Sequence, residues 1–334
     1  MGEKVAVVGA TGVVGRMMIK VLEERDFPIG ELHLFASARS AGTTIKFKGK
    51  DHIVKELNEQ NIKSAGVKFA IFSAGSDVSE KYAPVFAAHG AVAIDNSSRW
   101  RMDKDVPLVV PEVNPDAAFE HNGIIANPNC STIQAVVAIK PLHDAFKVKR
   151  IVYSTYQAVS GAGKQGLLDL ADGEKGMPPK KFPYPISHNI IPHIDVFTED
   201  GYTKEEIKMI NETRKILGDE SLRITATTAR VPVYYGHSES INIEFFNPVT
   251  RAAALDVLRK AKGVIVTDDP QNNVYPMPID AEGRDEVFVG RVREDRSVDN
   301  GLNIWVVADN IRKGAASNAV QIAELLLAHQ NKTK

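Results

Sequence analysis

Short apolar runs alternate with amphipathic stretches over the first third of the chain. KVAVVG (4–9) reads as a buried strand, and GVVGRMMIKVLEER (12–25) then takes up helical spacing. ELHLFAS (31–37) and VKFAIFSAG (67–75) read as further strands, and VSEKYAPVFAAHG (78–90) as a helix stopped by Gly90. AVAIDNSS (91–98) and GIIANPN (123–129) follow as strands. Apolar strands without a polar face, separated by helices, predict a parallel sheet covered on both sides. From about Lys149 the pattern changes. RIVYSTYQAVS (150–160), SLRITATTARVPV (221–233), SINIEFFN (240–247) and EVFVGRVRED (286–295) alternate more, as in a largely antiparallel sheet with one wetter face. An irregular Pro- and Gly-rich stretch (172–195) and two helices, TKEEIKMINETRKILG (203–218) and VTRAAALDVLRKAKG (249–263), lie between them. The closing GAASNAVQIAELLLAH (314–329) has helical spacing and an apolar stripe that must dock somewhere, and the first domain is the expected place.

The 334 residues suggest two domains, each long enough to bury a core. Lys and Arg number 41 and Asp and Glu 42, a net charge of −1, so no basic field draws nucleic acid or an anionic membrane. No apolar run is long enough to span a bilayer, and the first residues lack the apolar core of a secretory signal. The single cysteine, Cys130, cannot form an intramolecular disulfide. These features predict a cytoplasmic protein. No His/Cys cluster has metal-ligand spacing, so no metal is expected.

GATGVVG (9–15) lies between a predicted strand and a predicted helix. Gly9 and Gly12 allow a tight turn and close backbone approach, and Gly15 lets the helix lie against the strand. The helix N-terminus then offers N–H groups and partial positive charge to a pyrophosphate. The second strand ends at Phe35-Ala36 and is followed by Ser37, Arg39 and Ser40, with no carboxylate. A guanidinium and two hydroxyls suit a 2′-phosphate, which favours NADP over NAD.

Cys130, in ANPNCSTIQAVVAIKPL (126–142), falls where an apolar strand gives way to a helix. The helix dipole favours its thiolate there, and the first backbone N–H groups are expected to hold an oxyanion. Asn127, Asn129, Ser131 and Thr132 surround it, which favours a nucleophile over a buried structural cysteine. His237, in RVPVYYGHSES (230–240), is a candidate base. A regular strand would put Arg230 and His237 on opposite faces, but Pro232 and Gly236 bend the path, so both could enter one site. By pattern alone a lone histidine is more often a surface or satisfied core residue.

Eight strings in order, GATGVVG, ASARSAG (36–42), DNSSRWRMD (95–103), PLVVPEVN (107–114), NPNCSTIQ (127–134), TYQAVSGAG (155–163), RVPVYYGHSES and VADNIRKGAA (307–316), resemble the aspartate-semialdehyde dehydrogenase family. ASARSAG and NPNCSTIQ look most like its Gram-positive-type bacterial branch. The resemblance implies an α/β fold: a Rossmann-type NADP-binding domain (1–129 with 311–334) and an α+β catalytic and dimerisation domain (130–310) with a mixed, largely antiparallel sheet. It also implies a homodimer that reduces L-aspartyl 4-phosphate with NADPH to aspartate semialdehyde and phosphate. That step lies on the route to lysine (through diaminopimelate), methionine, threonine and isoleucine.

Residue by residue, the resemblance makes Cys130 the nucleophile, His237 the acid/base that takes the thiohemiacetal proton, and Gln157 an orienting group for the acyl intermediate. Arg230 would hold the α-carboxylate, Glu205 the amino end, and Arg101, Asn96 and Lys208 the phosphate, with Arg99 a rival to Arg101. Gly9, Thr11, Gly12, Val13, Gly15, Ser37, Arg39, Ser40, Ser73, Gly75, Ser160, Gly161 and Asn310 would line the cofactor. Read without the family, Glu205 and Lys208 are a helical i,i+3 pair of the kind that usually faces solvent. N-acetyl-γ-glutamyl-phosphate reductase shares the chemistry but has an acylated amine, and a catalytically silent nucleotide-binding homologue is the other alternative.

Overall fold

The computed structural model describes residues 2–332, and they divide into two compact units: residues 2–128 with 315–332, and residues 129–314. The division falls a few residues from the expected boundaries, at Asn129 and at 311–314. The local reason is that Asn129 caps the helix begun by Cys130, and Gly314 lies against Cys130.

The first unit runs β1 (Glu3–Val8), α1 (Val13–Glu24), β2 (Ile29–Ala36), β3 (Thr44–Phe47), β4 (Lys50–Glu56), α2 (Glu59–Ala65), β5 (Phe69–Phe72), α3 (Ser76–Ala88), β6 (Val92–Asp95) and β7 (Ile124–Ala126). Its sheet has the order β3-β4-β2-β1-β5-β6-β7, parallel throughout except for the β3-β4 pair. Val5, Ala6, Val7 and Val8 are all fully buried, because both faces of the sheet are covered. The C-terminal helix, Ser317–Lys332, contributes Ala319, Val320, Ile322 and Ala323 to the same core as Val5, Val7 and Ile71. The strand order switches from one side of β1 to the other at β5, so the turns after these two adjacent parallel strands lie together at the carboxyl ends of the strands.

The second unit runs α4 (Cys130–Phe146), β8 (Val148–Gln157), α5 (Gly163–Gly173), α6 (Lys204–Leu217), β9 (Arg223–Arg230), β10 (His237–Phe245), α7 (Arg251–Lys260), β11 (Val264–Val266), β12 (Val287–Glu294) and β13 (Gly301–Ala308). Its sheet order is β11-β12-β13-β10-β8-β9; the outer pairs are parallel and the inner three antiparallel. Alternate residues of β8, such as Ile151 and Tyr153, are buried while Val152 and Ser154 are half-exposed, the pattern of a sheet with one wetter face. Thr203 and Glu206 form a capping box at the start of α6, and Gly218 closes the helix in the left-handed conformation.

The periodicity missed the β3-β4 hairpin, α2, α5 and β13. The hairpin is polar on most positions and α5 is interrupted by glycine, so neither carries a clean apolar stripe. The stretch read as one long strand over 221–233 ends at Arg230, and a new strand starts at His237. No helix among the described residues is long and apolar enough to cross a membrane.

Candidate active site

In the second unit, Cys130 is the first residue of α4 and half-buried. Its Sγ lies 3.2 Å from Nε2 of His237, which is fully buried at the start of β10. The other ring nitrogen, Nδ1, accepts the backbone N–H of Ala158 at 2.9 Å. The carbonyl of Ala158 accepts from Arg230 Nη1 at 2.8 Å. Residues 231–236 leave the sheet between β9 and β10, and this excursion lets Arg230 and His237 meet. A Cβ on Gly161 would lie 2.9 Å from Arg230 Nη1 and 3.3 Å from His237 Cε1. Burial, followed by the charge of Arg230, pushes the His237 pKa well down. Burial also lowers that of Arg230, against the opposing charges of Glu205 and Cys130.

Gln157 is buried at the end of β8, and its Nε2 donates to Glu205 Oε1 at 3.3 Å. Glu205 is itself buried on α6 and accepts from Asn129 Nδ2 at 2.8 Å. Lys208 reaches Glu205 at 3.4 Å and Asp195 at 2.7 Å. The i,i+3 pair therefore forms, but with its carboxylate inside the unit rather than on a solvated face. Asn310 accepts from the backbone N–H of Gly236 at 3.0 Å and exchanges hydrogen bonds with the Ser160 hydroxyl.

One expectation is corrected. The N–H groups of Ser131 and Thr132 are not open to an oxyanion, because the Asn129 side chain accepts both, at 3.0 and 3.3 Å. The N–H of Ile133 is taken by the Asn129 carbonyl. An asparagine directly before the helix is a strong cap, and this one satisfies the donors locally.

In the first unit, Gly9 has φ +81°, and a Cβ there would fall 2.3 Å from the carbonyl oxygen of Ser73. A Cβ on Gly15 would fall 2.2 Å from the carbonyl oxygen of Gly9. Gly12 differs: its φ is −72°, and a Cβ would meet nothing closer than 3.4 Å. The fold thus demands Gly9 and Gly15 but not Gly12, which together with Gly75 starts a helix with no side-chain cap. Helices α2, α4, α6 and α7 are each capped by a side chain. Thr11 and Val13 flank Gly12 in this turn. Ser37, Arg39 and Ser40 follow β2, and Arg39 is exposed with no ion pair to a carboxylate among the described residues. Arg101 is buried and donates to the carbonyls of Asn127 at 3.0 Å and Asn96 at 2.9 Å. Arg99 instead pairs with Glu80 at 2.9 Å and lies over Trp100. No group of three or more His, Cys, Asp or Glu among the described residues could hold a metal ion.

Residues 4–121 match the semialdehyde dehydrogenase NAD binding domain, and residues 139–313 match the semialdehyde dehydrogenase dimerisation domain. The aspartate-semialdehyde dehydrogenase of Aquifex aeolicus is 60% identical over 336 residues, covering 98% of each chain. The chain belongs to the aspartate-semialdehyde dehydrogenase family. The crystal structure of aspartate semialdehyde dehydrogenase II from Vibrio cholerae complexed with ASA is 48% identical, covers 98% of this chain and 99% of its own, and superposes with a TM-score of 0.94. That of Candida albicans aspartate semialdehyde dehydrogenase with NADP is 28% identical, covers 98% and 99%, and has a TM-score of 0.76. The fold is that of the family: an NAD(P)-binding domain and a second domain with a mixed sheet. The family's oxidoreductase activity, aspartate-semialdehyde dehydrogenase, and its place in amino-acid biosynthesis follow for this chain.

The structure adds residues that the sequence reading of this dehydrogenase did not single out. A Cβ on Gly314 would lie 2.8 Å from Cys130 Cβ, so only glycine fits against Cys130. Asp169 accepts the backbone N–H groups of Lys180, Lys181 and Phe182 and so fixes the loop that brings Phe182 beneath the Arg230 guanidinium. Glu239 is fully buried, and neither carboxyl oxygen has a hydrogen-bond partner among the described residues. A polar residue in a strand otherwise facing the core was the available signal for Glu239; Gly314 and Asp169 had none.

Proposed function

We propose that the protein reduces L-aspartyl 4-phosphate with NADPH to L-aspartate 4-semialdehyde and phosphate through a thioester on Cys130. The observation that carries this reading is the 3.2 Å contact between the Cys130 sulfur and His237, with Arg230 held beside the ring. Thiolate Cys130 attacks the acyl phosphate carbon, the C–O bond to phosphate breaks, and a thioester remains. His237 is the acid/base: it takes the hydroxyl proton of the thiohemiacetal as the C–S bond breaks and the aldehyde leaves. Gln157 orients the acyl group. Arg230 forks the α-carboxylate, which a planar guanidinium suits, and buried Glu205 takes the ammonium. Arg101, Asn96 and Lys208 serve the phosphate. The acylated amine of the N-acetyl-γ-glutamyl phosphate substrate would have no use for Glu205.

The residues present fit a nicotinamide dinucleotide. Gly12 and Gly75 leave two helix N-termini without a side-chain cap, as phosphate requires. Gly9, Thr11, Val13, Gly15 and Ser73 shape the turns around them, and Ser160, Gly161 and Asn310 serve the nicotinamide end. Ser37, Arg39 and Ser40 favour NADP through its 2′-phosphate, as the NADP held by the Candida albicans protein supports. When bound, the reduced nicotinamide supplies the hydride. Substrate assignment draws support from the ASA in the Vibrio cholerae structure. The reading extends to a NADP-binding domain of 1–129 with 311–334, a catalytic and dimerisation domain of 130–310, a cytoplasmic homodimer, and the Gram-positive-type branch on the ASARSAG and NPNCSTIQ strings.

The test is phosphate-dependent oxidation of aspartate semialdehyde, followed by NADPH formation, in the native protein and in Cys130→Ala. Native turnover that needs phosphate and is lost in the variant, with NADP binding retained, is expected. Turnover in Cys130→Ala, or none in the native protein, would overturn the reading.

A further inference from the structure

The strand registers set the buried side chains of the second unit's sheet in cross-strand rows. Glu239 of β10 pairs with Thr155 of β8, and Thr155 with Thr228 of β9, so the three share one face. Two residues along each strand in one direction stand His237, Gln157 and Arg230, on the same face. Two residues the other way stand Ile241, Tyr153 and Ala226, in the core. A row of three buried polar side chains therefore lies directly behind the row that holds the candidate site. Among the described residues, neither Glu239 oxygen nor the Thr228 hydroxyl has a hydrogen-bond partner. From α4, Gln134 donates to the His237 carbonyl at 3.3 Å and leaves its own buried Oε1 without one.

Gln157 Nε2 lies 3.3 Å from both Glu205 Oε1 and Thr155 Oγ1. A carboxylate only accepts, so the amide nitrogen faces inward and donates to Thr155 as well. The Thr155 hydroxyl thus accepts from Gln157, and its own O–H needs an acceptor. Its neighbour across the strands is Glu239. Burial, followed by the charge of Glu205, holds the Glu239 carboxyl protonated well above the usual carboxylate range, so it offers a C=O to accept and an O–H to donate. Glu205 has other calls on it: it accepts from Asn129 and pairs with Lys208, and in the proposed reaction it takes the ammonium. Of the two acceptors of the Gln157 amide, Thr155 is the one that substrate does not share. We propose that Thr155 is a positioning residue for the reaction: it holds the Gln157 amide with its nitrogen inward, and Glu239 and Gln134 complete its hydrogen bonds through buried water. The Gln157 carbonyl oxygen is then left for the acyl intermediate. The inference rests on Gln157 orienting that intermediate, as in the proposed function.

The test measures phosphate-dependent oxidation of aspartate semialdehyde in the native protein, in Thr155→Val, Thr155→Ser and Gln157→Ala, and in the double variant Thr155→Val with Gln157→Ala. Valine keeps the branched shape and removes the hydroxyl. Thr155→Val should lower kcat about tenfold, with KM for phosphate and for NADP changed less than about twofold, and Thr155→Ser should recover most of the loss. In the Gln157→Ala background the valine should have little further effect, because Thr155 acts through that amide. A native kcat in Thr155→Val, a loss that serine does not recover, or an undiminished loss in the Gln157→Ala background overturns the proposal. Glu239→Leu exchanges an unpartnered buried carboxyl for an apolar group, so its fold should hold. It should lower kcat severalfold, and Glu239→Gln, which keeps an acceptor and a donor, should turn over faster than Glu239→Leu. Equal rates in these two variants overturn the proposal as well, and they decide it alone if Thr155→Val does not fold. An inactive native protein, or full turnover in Gln157→Ala, would overturn the proposed reaction or the role of Gln157 in it. A native Thr155→Val beside an impaired Gln157→Ala overturns this inference and leaves that reading standing.

Discussion

Asn129 donates through Nδ2 to Glu205 at 2.8 Å while its Oδ1 caps the N–H groups of Ser131 and Thr132. One side chain thus satisfies the start of the helix that carries Cys130 and orients a buried carboxylate on α6. Its own backbone N–H is held by Glu212 at 2.7 Å, which fixes the residue from a second side.

Asn129→Ala should therefore lower stability and activity together. Loss of a cap costs about 0.5–2 kcal/mol, and Glu205 loses a donor while staying buried. Urea denaturation and steady-state assays measure the two effects. A full cap penalty with unchanged kcat/KM would show that the link to Glu205 has no bearing on the site.

Gly161→Ala should reduce turnover with little loss of stability. The added methyl meets the ends of the Arg230 and His237 side chains rather than backbone, and Gly161 itself is exposed. The displaced guanidinium should raise KM for aspartate semialdehyde, while thermal denaturation stays close to that of the native protein. A native KM would mean that Arg230 moves without consequence.

Glu239→Gln should stabilise the protein at alkaline pH. Burial, followed by the charge of Glu205, raises the Glu239 pKa well above 4.5, so the native state holds a proton that the unfolded chain releases. Where the unfolded state binds fewer protons, stability falls as pH rises. The native protein loses stability from pH 4.5 upward to the folded value, and the neutral amide does not. The opposite contribution of His237, whose pKa is depressed, cancels between the two proteins. Thermal denaturation across pH should show the variant gaining on the native protein as pH rises, and a pH-independent difference would place Glu239 in an unperturbed setting.

Arg39→Ala should raise KM for NADP far more than for NAD. The side chain is exposed after β2 and makes no ion pair with a carboxylate among the described residues, so its removal should leave the fold intact. A lost charge-assisted bond of roughly 1.5–3 kcal/mol corresponds to about ten- to more than hundredfold in KM for NADP. Equal effects on both cofactors would assign the loop to scaffold.

The sequence by itself determined the elements whose signal is local. The apolar runs of β1, β5 and β6 are continuous because both faces of that sheet are covered, and the glycines at 9 and 15 stand where backbone approaches within a Cβ's reach. Cys130 at a helix start, the missing carboxylate after β2 and the bent path between Arg230 and His237 were likewise legible from residue types and spacing. Only the tertiary structure decided which groups touch. Asn129 looked like one more polar residue beside Cys130, yet its side chain occupies the N–H groups expected to serve an oxyanion. Glu205 and Lys208 read as a solvated helical pair until α6 turned the carboxylate inward against Gln157 and Asn129. The Nδ1 of His237 meets the backbone N–H of Ala158, 79 residues away in sequence. Hydrogen bonds between distant segments leave no periodicity in the chain, because they are set by how strands β8, β9 and β10 align rather than by the residues' own propensities.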